Sequence, residues 1–186
     1  MYLRSFAFLL VLLSAGAAVS AEEPRTAHDF AFTSIDGEPL PLKRFRGKVL
    51  LVVNTASFCG FTHQYGGLQA VWKRYRGRGL VVLGVPSNDF GNQEPGKEAT
   101  IKQFCKVNFD IDFPLTAKVR VKGKAAHPFY RWAAATLGRT NAPRWNFHKY
   151  LIDRDGRIVG SYRSPVAPTS ERMIKAIEAQ LAKPVG

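Results

Sequence analysis

The chain has 186 residues and carries 27 Lys and Arg against 14 Asp and Glu, a formal net charge of +13. Its 46% hydrophobic content is that of a globular chain rather than a disordered one, and two cysteines are too few for a disulfide-dense scaffold. The basic balance suits a solvated surface, an anionic lipid surface or an acidic electron donor. With an export signal and no recognisable binding motif, it argues against nucleic acid as a partner.

The N-terminus reads as a secretory signal. Arg4 supplies the positive region, residues 6–13 are apolar, and Val19-Ser20-Ala21 places small residues where cleavage after Ala21 requires them. The apolar run is shorter than the roughly 20 residues of a membrane span. A retained N-terminal anchor stays open as the alternative. Residues 1–21 are therefore set apart from a single domain over 22–186, expected to be exported, periplasmic or secreted.

Beyond a polar leader at 22–28, residues 30–35 and 39–42 read as a hairpin around Asp36-Gly37. Residues 49–54 are a continuous apolar strand, the pattern of a strand buried on both faces. A helix follows from about Gln64 to Tyr75, with Leu68, Val71, Trp72 and Tyr75 on one face. Residues 80–86 form a second buried strand, and the right-handed crossover rule makes the two strands parallel neighbours. A loop rich in Gly, Asn and Pro spans 87–96. Residues 98–107 are helical, with Ile101, Phe104 and Cys105 on one side. A short strand is expected at 118–121 and a helix at 128–137, started by His127 and capped by Gly138. Residues 150–153 and 157–162 flank a hairpin turn at Arg154-Asp155-Gly156. A last helix at 170–181 starts from Thr169 or Ser170. The sum is an α/β sandwich.

Cys59 follows the first buried strand and precedes its helix. Backbone N–H groups and the helix dipole favour an anion there, which raises the thiolate fraction of a cysteine. A cysteine at this point of the first of two parallel strands is the thioredoxin-like arrangement. Cys105 is the only other cysteine. On composition alone, the pair in an exported chain reads as a structural disulfide. A Cys-x-x-Cys dithiol is absent, since position 62 is Thr62. His63 is expected to face solvent, and a Cys59–His63 pair lacks the further ligands of a metal site. His148 alternates with apolar neighbours and is likewise expected to face solvent.

Three segments carry a family resemblance. Asn54-Thr55-Ala56-Ser57-Phe58-Cys59-Gly60-Phe61-Thr62 resembles the active-site motif of glutathione peroxidases. Pro86-Ser87-Asn88-Asp89-Phe90-Gly91-Asn92-Gln93-Glu94-Pro95-Gly96 resembles the second motif, and Trp145-Asn146-Phe147-His148-Lys149-Tyr150-Leu151 the third. They occur in the family's order, and the resemblance covers about residues 28–182. Thr55 stands where many relatives have Val, and Tyr150 where many have Phe.

The resemblance implies a thioredoxin-like fold, with a central mixed β-sheet flanked by helices and an N-terminal β-hairpin. It implies a peroxidatic Cys59 with Gln93, Trp145 and Asn146 as its hydrogen-bonding partners, and no cofactor or metal. Read singly, Gln93 would be a solvated loop residue, Trp145 core packing and Asn146 a turn residue; inside three matching motifs they become a site. Cys105 resembles the resolving cysteine of thioredoxin-dependent members. If it lies on an ordered helix, that helix must loosen before a disulfide can form, because the Cα atoms must come within about 7 Å. The expected activity is reduction of hydrogen peroxide and of organic or lipid hydroperoxides. The expected reductant is thioredoxin or a thioredoxin-like protein, with glutathione less favoured, and the expected state is a monomer. A peroxide sensor, or a thiol–disulfide oxidoreductase acting on partner proteins, is the alternative.

Overall fold

The computed structural model describes residues 25–184. The signal and cleavage expected over residues 1–21 lie outside the described residues. After a short turn at Ala27–Asp29, the described chain forms the hairpin of β1 (Ala31–Thr33) and β2 (Pro39–Pro41). Its register pairs Phe32 with Leu40, and Gly37 turns the chain at a left-handed φ of 89°.

The main sheet has four strands in the order β4-β3-β5-β6. These are β3 (Val49–Thr55), β4 (Leu80–Pro86), β5 (Lys149–Ile152) and β6 (Ile158–Tyr162). β3 runs parallel to β4 and antiparallel to β5, so the sheet is mixed, as expected. Every residue of β3 and β4 is buried, which explains the apolar runs 49–53 and 80–86.

Side-chain alternation divides the core between the two faces. Val49, Leu51 and Val53 point into a cluster completed by α1 (Gln64–Tyr75), α2 (Glu98–Phe109) and α4 (Glu171–Leu181). Leu50 and Val52 point the other way, toward α3 (Pro128–Leu137) and the N-terminal hairpin. α4 shows the logic in its simplest form. Met173, Ile177 and Leu181 lie along one buried stripe, and the Ser170 hydroxyl caps its start by accepting from Met173 N at 3.4 Å. α3 starts with Pro128 at its first position, and His127 Nδ1 accepts from Phe129 N.

One expected strand is absent. Residues 118–121 are irregular, because carboxylates take the Lys118 and Val121 amide hydrogens and break a run of pairing to the neighbouring strand. Lys118 N donates to Glu98 Oε1 at 3.2 Å, and Asp89 Oδ2 accepts from Val121 N at 2.6 Å and Lys122 N at 3.1 Å. Val119 N still donates to Pro86 O of β4 at 3.0 Å, but the bridges formed are isolated ones at Leu115 and Thr116. At the first of these, Gly84 lets the chain pass closely: a Cβ there would lie 2.5 Å from Leu115 Cδ2.

Candidate active site

Cys59 lies in the turn that joins β3 to α1, nearly buried. The turn is built around Thr62. Its hydroxyl accepts from Cys59 N at 3.0 Å and donates to Ala56 O at 3.0 Å, while Thr62 N donates to Cys59 O at 2.9 Å. Gly60 to His63 separate the thiol from the first residue of α1. Its nearest backbone donor is therefore the turn's own Phe61 N, 3.4 Å from Sγ. His63 is exposed, as expected, with Nδ1 3.0 Å from Gly60 O.

The loop after β4 is tied to this turn by Phe58 N, which donates to Gln93 O at 3.0 Å. Gly91 and Asn92 both take left-handed φ values, 63° and 52°, and turn the loop so that Gln93 comes back over the end of β3. Asn88 Oδ1 holds the far side by accepting from Glu94 N at 2.8 Å.

The third segment enters from β5. Asn146 is fully buried, and its Nδ2 donates to Gln93 Oε1 at 2.9 Å. Trp145 is 40% exposed, with its ring 5.9 Å from that of Phe90. The structure thus brings Gln93, Asn146 and the Cys59 turn into one place, with Trp145 at its rim. Among the described residues, the hydrogen bond to Cys59 Sγ comes from Phe61 N, and the Gln93–Asn146 amide pair is bonded to itself.

Asn54, within the first motif, is a further residue of the site with no role evident from the sequence. It is fully buried near the end of β3. Its Nδ2 donates to Trp145 O at 3.1 Å, and its Oδ1 accepts from His148 N at 3.1 Å. Its own carbonyl accepts from Phe147 N at 2.6 Å. This clamp holds Phe147 at φ 60°, a costly conformation for a bulky residue. A buried Asn at the end of an all-apolar strand was the signal available in the sequence.

His148 corrects the expectation of a solvent-facing side chain. It is buried, with Nε2 3.0 Å from Ser161 Oγ, and its ring packs against Tyr150. The left-handed Phe147 breaks the alternation on which that expectation rested. Burial, helped by the charges of Lys149 and Arg163, lowers its pKa to about 4. Lys149 is also buried, donating to Gln64 Oε1 at 2.6 Å, and burial lowers its pKa to about 7.

Cys105 sits within α2, fully buried, and both cysteines are free thiols. The residues preceding the two cysteines touch, with the Phe58 and Phe104 rings 6.1 Å apart. Burial pushes the Cys105 thiol up to about 11. No group of His, Cys, Asp and Glu among the described residues could hold a metal ion.

Comparison with known proteins gives this geometry its context. The glutathione peroxidase family model matches residues 27–134. A hydroperoxy fatty acid reductase of Synechocystis is 45% identical over 158 residues, spanning 81% of this chain and 94% of its own. A glutathione peroxidase-like peroxiredoxin of Schizosaccharomyces pombe is 43% identical over 156 residues, spanning 83% and 98%. Among solved structures, Trgpx in its apo form is 33% identical with a TM-score of 0.71, covering 89% of this chain and 99% of its own. A thioredoxin family thiol:disulfide interchange protein from Chlorobium tepidum, 19% identical, has a TM-score of 0.63 over 88% of this chain and 100% of its own. It establishes the thioredoxin-like fold alone.

Proposed function

Because the chain belongs to the glutathione peroxidase family, we propose that it is a thiol peroxidase that reduces hydrogen peroxide and organic or lipid hydroperoxides at Cys59. The observation that carries the reading is the convergence of the Gln93–Asn146 pair on the turn that presents the Cys59 thiol.

The Cys59 thiolate attacks the terminal peroxide oxygen. An S–O bond forms, the O–O bond breaks, and the leaving oxygen departs as an alcohol or water once protonated. Asn146 occupies the carbonyl end of the Gln93 amide, so the Gln93 NH₂ and the Trp145 indole N–H are the donors left for the sulfur and the departing oxygen. Cys105 then attacks the sulfenic acid, and α2 must release it to do so. A protein dithiol reduces the resulting disulfide, and a thioredoxin-like reductant suits that step better than glutathione. If residues 1–21 direct export, that reductant is itself an exported thioredoxin-fold protein.

Two further parts of this reading have their own tests. The short link from α3 to Trp145, filled by a single turn at Arg139–Asn141, supports a monomer, which light scattering would check. Phe58, 67% exposed beside the site, and the positive charge support action at anionic membranes. Salt should then slow turnover of lipid hydroperoxides in anionic vesicles but not in neutral micelles.

The deciding experiment is peroxide consumption with thioredoxin plus its reductase or glutathione plus its reductase, comparing wild type, Cys59→Ser and Cys105→Ser. Thioredoxin-supported turnover abolished by either substitution is the expected result. Glutathione-supported turnover that survives Cys105→Ser would overturn the resolving role and the donor.

A further inference from the structure

Between the N-terminal hairpin and α2 lies a cavity of about 390 Å³, and none of Cys59, Gln93, Trp145 and Asn146 lines it. Its walls come from the hairpin and the turn Leu42–Phe45 that follows it, from α2, and from residues 111–115 just beyond α2. Leu40, Ile111, Phe113 and Leu115 give it a buried floor, and the half-buried Ile35 and Phe45 complete the apolar lining. The walls are fixed to one another. Ile35 N donates to Leu115 O at 2.9 Å, and Ser34 bridges Thr116 beside it. Water in such a space finds few partners, so an apolar occupant is favoured.

The charged groups stand at the rim, and most are already satisfied. Lys102 Nζ pairs with Asp36 at 2.6 Å and joins α2 to the hairpin turn. Lys106 pairs with Asp110, four residues along the chain. Asp112 accepts from Arg76 at 2.9 Å and from Gln69 Nε2 at 2.6 Å. Both rim carboxylates, Asp36 and Asp112, are therefore spent. Arg44 is the exception. It is exposed, its guanidinium lies 5.6 Å from the centre of the Phe45 ring, and among the described residues it has no carboxylate partner. From Ile35 and Lys102 a groove continues along α2 to Ala99, Gln103 and Val107, the last 73% exposed. That extension suits a long chain rather than a compact molecule.

We propose that this cavity binds a single fatty acyl chain, its methylenes on Leu40, Phe113 and Leu115 and its anionic head at Arg44. A carboxylate and a phosphate monoester meet a guanidinium through the same charge-assisted hydrogen bonds. Because Arg44 is exposed, the head stays partly hydrated while the chain leaves water. A compact polar ligand would leave the apolar floor unmatched, and an organic cation would meet the unpaired Arg44. The site is separate from the Cys59 site and does not depend on the peroxidase reading.

Calorimetry with dodecanoate and with dodecyl phosphate, each below its micelle-forming concentration, tests this. One molecule should bind per protein, and the tighter of the two probes identifies the head group. Octanoate, four methylenes shorter, should bind about tenfold more weakly or worse. Dodecanol, which lacks the charge, should lose about tenfold, and so should dodecanoate with Arg44→Glu. Ile35→Trp, which fills the cavity, should lose both anionic probes. Methyl NMR of the wild type locates the chain without any substitution: dodecanoate should shift the Ile111 and Leu115 methyl signals. No saturable binding of either probe, an affinity indifferent to both chain length and Arg44→Glu, or shifts that spare those methyls would each overturn the proposal. Binding is read without peroxide or reductant, so this result and the peroxidase assay fail separately.

Discussion

Asn146 Nδ2 donates to Gln93 Oε1 across 2.9 Å, and this bond decides which end of the Gln93 amide is engaged. The two residues lie on different loops, and neither can hold that orientation alone. Asn146→Ala frees the Gln93 amide to rotate. Asn146→Asp sets a carboxylate against a carbonyl and draws the Gln93 NH₂ toward position 146, out of reach of the donor role proposed for it. The second-order rate of Cys59 oxidation by peroxide should fall by roughly tenfold for Ala, and by about a hundredfold for Asp, the scale of a lost transition-state donor. An Asp variant as fast as wild type would show that the pair does not orient the donor.

Asn54 reaches the same site through the backbone. Asn54→Ala leaves Trp145 O and His148 N without their partners in a buried place and removes the side-chain part of the clamp on left-handed Phe147, keeping only the backbone bond from Phe147 N. Urea denaturation should show a loss of about 2–4 kcal/mol, with slower Cys59 oxidation under conditions where the variant is still folded. Full stability with reduced activity would mean that the segment is held by something other than Asn54.

This distribution of partners explains what was legible in the sequence. β3, β4 and α1 were read correctly because their signals are local: unbroken apolar runs and one face of a helix. The motifs placed Cys59, Gln93 and Asn146 together. Residues 118–121 were misread because Asp89 and Glu98, far along the chain, take their amide hydrogens. His148 was misread because a single left-handed residue reversed its facing. The Asn54 clamp and the burial of Glu94 are invisible in the sequence for the same reason, since each is made by residues that only folding brings together.

His148 makes stability depend on pH. Burial holds its pKa at about 4 against 6.5 in the unfolded chain. The unfolded state therefore binds the extra proton between those values. The stabilisation is complete above pH 6.5 and is lost as pH falls through about 4, a change on the order of 3 kcal/mol at most. In His148→Phe this contribution should be lost from denaturation midpoints measured across pH 4–7, leaving the opposing slope that Glu94 supplies. An unchanged slope would mean that the imidazole is more solvated than its position in the fold indicates.

Glu94 acts with the opposite sign in an overlapping window. Its folded pKa of about 7 lies above the ordinary 4.5, so the folded state holds a proton that the unfolded chain gives up. That stabilisation is full below pH 4.5 and is lost as pH rises through about 7. Glu94→Gln should therefore flatten the decline, and at pH 8 the variant should be more stable than wild type by about 1–3 kcal/mol. Calorimetry at pH 5 and pH 8 would check this, with the difference between the proteins largest at the higher pH. A variant less stable than wild type at pH 8 would mean that the carboxylate has partners that hold the fold together.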